Sequence, residues 1–255
     1  MLYSNVTILL QGILNRDINL IDTLIAYIKL CNVVISVYRS DLPQVLEICK
    51  SFPTVIVVEN DIEEYKKIPV TIDNEFKSFS MQYLQNSFYQ ICTTKKGLSV
   101  IHTEYVIKTR VDHFYQNLSN FIQHGLDTKK IITSSIFVRG YKDRYGKFCF
   151  SDCLFMGKMS DIKLCFDLSY NNFLLTVPEL AIWKPYFVYI FKMKGIDILS
   201  VDDETYLQYM VELVDIYHIN KLLPYKINIR NRIETHINDN NKTTKEYLMY
   251  GCDYN

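Results

Sequence analysis

The octapeptide Tyr105–Asp112, YVIKTRVD, holds the residue types best suited to chemistry. Its apolar opening, Tyr105-Val106-Ile107, has the composition of a buried strand. It breaks off into Lys108, Thr109, Arg110 and Asp112. Ligands of open α/β sheets bind at the carboxyl ends of the strands. A carboxylate there can hold a divalent cation, and lysine or arginine there can hold phosphate. The competing reading is an ordinary strand end with a solvated ion pair.

Two further carboxylates are candidates. Asp152 precedes an apolar run ending at Gly157. It suits a site residue, or a strand-edge aspartate satisfied by a turn amide. Glu179 follows Pro178 at a predicted helix start. The helix dipole is a sufficient structural reason for a carboxylate there, and the position also suits a general base.

These residues need a scaffold, and the flanking patterns predict one. Val6–Leu10, Val33–Tyr38 and Thr54–Val58 read as buried strands, with helices predicted over Asn19–Leu30 and Leu42–Lys50 between them. Alternation of this kind builds a parallel sheet with right-handed crossovers. A long helix is predicted over Phe79–Lys96, capped at Gly97. Beyond the central octapeptide, Leu118–Gln123 suits a helix. Ile131–Arg139 and Phe148–Met156 suit strands joined by a turn around Lys142–Gly146. Asp161–Tyr170, Pro178–Lys194 (kinked or restarted at Pro185) and Asp202–Asn220 suit helices, the last opening on the acidic turn Asp202-Asp203-Glu204. The final ~30 residues are Asn/Lys-rich and are expected to form a loosely docked tail.

Bulk properties narrow the class. The chain has 255 residues, 49% of them hydrophobic, and a net charge of +0, which argues against a non-specific nucleic-acid binder. Seven cysteines lie scattered with no CxxC pair, as expected of reduced, mostly buried thiols in a cytoplasmic protein. The N-terminus lacks a basic n-region, and no apolar stretch is long enough to span a bilayer. The P-loop, GxGxxG and GxSxG signatures are missing.

Four segments in order carry a family resemblance: VTILLQG up to Gly12, SFYQICTTKKGL over Ser87–Leu98, YVIKTRVD, and FSDCLFMGKMSDI over Phe150–Ile162. Together they resemble the WavE-type lipopolysaccharide-synthesis glycosyltransferases, a family similar in fold to the GT-A glycosyltransferases. Gln90, Thr94, Gly97, Leu98, Lys108, Arg110 and Asp112 match that family's pattern, whereas Phe88 and Tyr89 depart from its Asn-Arg pair.

The resemblance implies an α/β, GT-A-like (Rossmann-like) domain over residues 1–200 with a mostly parallel central sheet flanked by helices. Residues 201–255 would form a C-terminal helical extension packed on the same domain. It implies transfer of a sugar from a nucleotide-sugar to a glycan or other hydroxyl acceptor. Arg110-Val111-Asp112 then looks like a variant Asp-x-Asp motif in which Asp112 holds Mn²⁺ or Mg²⁺. Gln11, Gly12, Tyr38, Arg39, Gln90, Lys108 and Arg110 would bind the donor. Glu179 would act as base, with Asp152 its rival. His218 reads as a packed or solvated helical histidine rather than a late metal ligand. The alternatives are a nucleotidyltransferase, disfavoured by the missing Gly-rich loop after the first strand, and an inactive glycan-binding or scaffolding module.

Overall fold

Parallel pairing of apolar runs makes the centre of the molecule. A computed structural model describes residues 1–14, 18–72, 81–142, 146–171, 174–229, 232–235 and 242–251. The first half runs β1 (Val6–Gly12), α1 (Leu20–Tyr27), β2 (Asn32–Tyr38), α2 (Leu42–Cys49), β3 (Ile56–Asn60), α3 (Ile62–Lys66), β4 (Thr71–Ile72), α4 (Met81–Leu98), β5 (Tyr105–Arg110) and β6 (His113–Tyr115). It continues with α5 (Leu118–Thr128), β7 (Ile131–Ser134), β8 (Leu154–Lys158), α6 (Met159–Asn171), β9 (Leu174–Leu175), α7 (Pro178–Met193), α8 (Asp203–Leu213) and β10 (Val214–Tyr217). A 3₁₀ turn (Ile219–Leu222), β11 (Tyr225–Ile229), β12 (Arg232–Glu234) and α9 (Thr244–Tyr250) complete it.

The main sheet has seven strands in the order β10-β7-β8-β5-β1-β2-β3. Every pairing in it is parallel except those of β8, which runs antiparallel to β5 and β7. The expected α/β fold with a mostly parallel sheet is therefore the fold observed. One sheet face packs Leu9, Val34 and Val106 against α4, α6 and α7. The other packs Ile8, Ile35 and Ile107 against α1 and α5. No helix among the described residues is long and apolar enough to cross a membrane. The six described cysteines are unpaired, and all but Cys49 are buried.

Several boundaries differ from expectation. The predicted helix Asp202–Asn220 stops at Leu213, and Val214 turns extended at once (φ −123°, ψ 141°) to begin β10. The helix begins one residue later than expected, with Asp202 as its N-cap rather than in its first turn: the Asp202 carboxylate accepts from Thr205 N at 2.9 Å. The predicted strand Phe148–Met156 starts only at Leu154, because Phe148 adopts φ +73° and buries its ring against Phe187 and Tyr206. The strand from Ile131 ends at Ser134 rather than Arg139, and Phe137 takes φ +59° in the bend that follows. α7 passes through Pro185 as one helix.

The tail corrects a further expectation. α9 is fixed by a capping box between Thr243 and Glu246, and it buries Tyr247 and Leu248 in the same core as α7 and α8. Tyr247 Oη lies 2.9 Å from His218 Nε2, which accounts for that histidine. Residues 79 and 80 of the predicted long helix, 143–145 of the predicted turn, 236–241 of the tail and Cys252 lie outside the described residues.

Candidate functional site

β1 is flanked by β2 on one side and β5 on the other, and the chain order reverses there. Such a topological switch point opens a crevice outside the carboxyl ends of the strands. Gln11 of β1 is paired in register with Arg110 of β5, and Val111 N donates to Gln11 O at 2.9 Å. The chain then leaves the main sheet at Val111-Asp112 and enters β6 in a separate sheet with β11 and β12. Asp112 sits at the crossing between the two sheets.

Arg110 grips Asp112 in a two-pronged ion pair, Nε to Oδ1 at 2.8 Å and Nη2 to Oδ2 at 2.7 Å. The Asp112 side chain is only 5% exposed and that of Arg110 36%. Such a fork is the strong form of a carboxylate–guanidinium contact. It raises the Arg110 pKa against the opposing pull of burial. His113 Nε2 lies 3.9 Å from Asp112 Oδ1.

Lys108 is fully buried. Its ammonium donates to the main-chain carbonyl of Asp152 and lies 5.7 Å from the centre of the Phe155 ring. Burial pulls its pKa down to about 8, while neighbouring Asp152 pulls it back up. The strand register explains the meeting. Thr109 pairs with Leu154 across the antiparallel β5–β8 ladder, so the Asp152-Cys153 turn lies beside the carboxyl end of β5.

That turn is tightly held. Gln90 Nε2 donates to Asp152 Oδ2 at 2.9 Å and to its carbonyl at 3.3 Å. Trp183 Nε1 donates to Ser151 O at 3.2 Å, and Ser134 Oγ to Ser151 Oγ at 3.1 Å. Side chains from α4, β5, β7 and α7 thus converge on Ser151 and Asp152, the support by which a reactive group is kept in place.

α4 is positioned by polar pairs at the ends of β1 and β2. Gln11 Nε2 donates to Thr93 Oγ1 at 2.7 Å, and Ser36 Oγ donates to Thr93 O at 2.7 Å. Asn60 Nδ2 donates to Ser36 Oγ at 2.9 Å, and Asn60 Oδ1 accepts from Tyr65 Oη at 2.7 Å. Further along the helix, Gly97 lies against Leu9. α4 therefore runs antiparallel to β1, and its early turns reach past the carboxyl ends of the sheet.

Glu179 occupies the first turn of α7, after Pro178. It is half-buried. Burial and the adjacent Asp152 carboxylate push its pKa up to about 8, while Arg139 and a main-chain amide oppose the shift. The structure thus brings Gln90, Lys108, Arg110, Asp112, Asp152 and Glu179 to one end of the sheet.

The other predicted donor residues are placed less uniformly. Gln11 is buried and committed to Thr93. Gly12 holds φ +122° with open space where a side chain would stand. Tyr38 is half-buried beside Cys92, Tyr89 and Arg110, with its pKa raised chiefly by burial. Arg39 faces solvent, paired with Glu59 and with Asp61 at 2.7 Å. Sequence reading singled out none of Thr93, Ser151, Trp183 and Arg139, although Thr93 and Ser151 fall within the segments SFYQICTTKKGL and FSDCLFMGKMSDI.

A divalent cation at Asp112 is implied by the family resemblance. Both carboxylate oxygens of Asp112 already accept from Arg110. Among the described residues, no group of three or more His, Cys, Asp or Glu side chains could hold a metal ion. At this strand end the carboxylate assigned to the cation is thus already held by a guanidinium.

No family model matches the sequence, so the resemblance to the WavE-type family rests on its motifs alone. No curated protein matches it. Among solved structures, the chain is similar to 4-diphosphocytidyl-2C-methyl-D-erythritol synthase from Anaerococcus prevotii, at 11% identity and a TM-score of 0.42 over 84% of this chain and 87% of that one. It is also similar to HddC from Yersinia pseudotuberculosis, at 13% identity and a TM-score of 0.37 over 74% of this chain and 98% of that one. HddC complexed with GMP-PN gives 11% identity and a TM-score of 0.37 over 62% and 78%. Likenesses this remote carry no argument about the reaction.

Proposed function

We propose that this chain is a nucleotide-sugar-dependent glycosyltransferase acting on a glycan or other hydroxyl acceptor. The observation that carries the reading is the meeting of Lys108, Arg110, Asp152 and Glu179 at the switch point beyond β1 and β5. In this reading the acceptor hydroxyl oxygen bonds to the anomeric carbon of the donor. The bond from that carbon to the diphosphate oxygen breaks, and the nucleoside diphosphate leaves with the electron pair. Lys108 and Arg110 offset the charge that grows on the leaving group, the kind of fixed electrostatic support that usually contributes most to such a step. The acceptor proton passes to a carboxylate. We assign that role to Glu179, aimed from the first turn of α7, with Asp152 as the competing base.

The test is an incubation with a panel of UDP- and GDP-sugars, followed by detection of free nucleoside diphosphate. Release of diphosphate together with a glycosylated acceptor supports the reading. Pyrophosphate formed from a nucleoside triphosphate and a sugar phosphate would point instead to nucleotidyl transfer. Glycan binding with neither product would point to a binding module.

A further inference from the structure

Resting on that reading, we propose that Arg110 takes the place of the divalent cation, and that Asp112 aims Arg110 rather than ligating a metal. The resemblance pairs the last carboxylate of an Asp-x-Asp with a metal that in turn holds the donor diphosphate. Here the first acidic position is Arg110, and its guanidinium sits on both Asp112 oxygens at 2.8 and 2.7 Å. A cation at Asp112 would have to share a carboxylate that is 5% exposed and already held by Arg110 on both oxygens.

The fork suits a different task. It uses Nε and Nη2, and among the described residues Nη1 donates to nothing. The guanidinium side chain is 36% exposed, so phosphate can approach it while Asp112 stays bound. Arginine remains charged at any accessible pH, and its planar donors match phosphate oxygens. Lys108 adds a second positive charge on the same strand, two residues earlier. Among the described residues, the charges facing Arg110 are Asp112, Asp152 and Lys108. A diphosphate can contact Arg110 directly, while the fully buried Lys108 adds its charge only through space.

The experiment measures UDP and GDP binding to the full chain by calorimetry, once in EDTA and once in excess Mn²⁺, with Mn²⁺ alone titrated separately. We expect nucleoside diphosphate Kd values within about twofold of each other in EDTA and Mn²⁺, and no saturable binding of Mn²⁺ alone. Arg110→Lys keeps the charge but not the fork, and should weaken binding at least tenfold in EDTA. Asp112→Asn should weaken it by a smaller factor, equally with and without Mn²⁺. A tenfold or greater tightening by Mn²⁺ that Asp112→Asn abolishes would overturn the inference and leave the transferase reading standing. Failure of every nucleoside diphosphate to bind under both conditions would overturn the transferase reading, and the inference with it.

Discussion

Gln90 and Asp152 meet in the interior at 2.9 Å, amide to carboxylate, across 62 positions of sequence. This contact ties the helix that overhangs the sheet to the turn that enters β8. Gln90 is 7% exposed and Asp152 5%, so neither has ready recourse to water. Gln90→Leu would leave a buried carboxylate short of a donor, at a cost of about 1–3 kcal/mol. Urea unfolding of the variant should show that loss. An unchanged midpoint would mean that the contact contributes nothing.

Asp112 anchors the Arg110 guanidinium, and Asp112→Asn keeps its shape while removing its charge. Transfer should fall about a hundredfold, the scale of losing one preorganised electrostatic contact. Circular dichroism should stay native. Near-normal turnover in a folded variant would remove Asp112 from the site.

Glu179 and Lys108 make opposite contributions to the pH dependence of stability. Folding raises the Glu179 pKa from its ordinary 4.5 to about 8. The folded chain therefore holds that proton more tightly, and stability falls as pH rises through this window. Folding lowers the Lys108 pKa from 10.5 to about 8. The folded chain gives up that proton more readily, so this term strengthens as pH rises from about 8 toward 10.5. Glu179→Gln should grow more stable relative to the parent between pH 5 and about 8, as measured by denaturant melts at stepped pH. If Glu179 is the base, transfer by the parent should also climb through about pH 8. A flat stability difference would show that Glu179 titrates as an ordinary carboxylate.

Gly97 lets α4 lie against the sheet. An added methyl would stand 2.6 Å from Leu9 Cδ1 and 3.0 Å from Ser36 Cβ. Gly97→Ala should therefore destabilise by about 1–3 kcal/mol through overpacking. The helix would have to shift, carrying Gln90 and Thr93 with it, so donor binding should weaken as well. A variant as stable as the parent would mean that α4 is not held closely.

The buried tail is equally open to test. Tyr247 is fully buried with its hydroxyl on His218, and truncation to Ala should cost about 3–5 kcal/mol. Thermal or urea melts would measure it. A loss under 1 kcal/mol would restore the loosely docked tail.

Much of the scaffold was legible because its signals are local. VTILL, VVISVY and YVIK are short apolar runs that read as buried strands wherever they pair, and the acidic Asp202-Asp203-Glu204 marks a helix start to within one residue. β10 was not legible. Leu213 and Val214 join helix to strand with no Gly or Pro between them, and only pairing with β7 makes Val214–Tyr217 extended. The tail misled by composition, since Tyr247-Leu248-Met249-Tyr250 is one short apolar run in a polar stretch, and the burial of Tyr247 and Leu248 depends on distant partners. At the candidate site, Lys108, Arg110, Asp112 and Asp152 stood out by type. Their geometry did not, because the Arg110 fork and the Gln90 contact are products of the fold. Arg39 was marked by its place at a strand end, yet it pairs with Glu59 and Asp61 in the open.

The central claim is that the carboxyl ends of β1 and β5 hold a nucleoside diphosphate. It is tested most directly by the thermal stability of the full chain with UDP and GDP, compared with Arg110→Lys. At a ligand concentration of about 100 times Kd, one of these nucleotides should add roughly 2.7 kcal/mol to the parent. The variant should gain far less at the same concentration. Equal stabilisation of parent and variant would place the nucleotide elsewhere, and no stabilisation by either nucleotide would contradict the account.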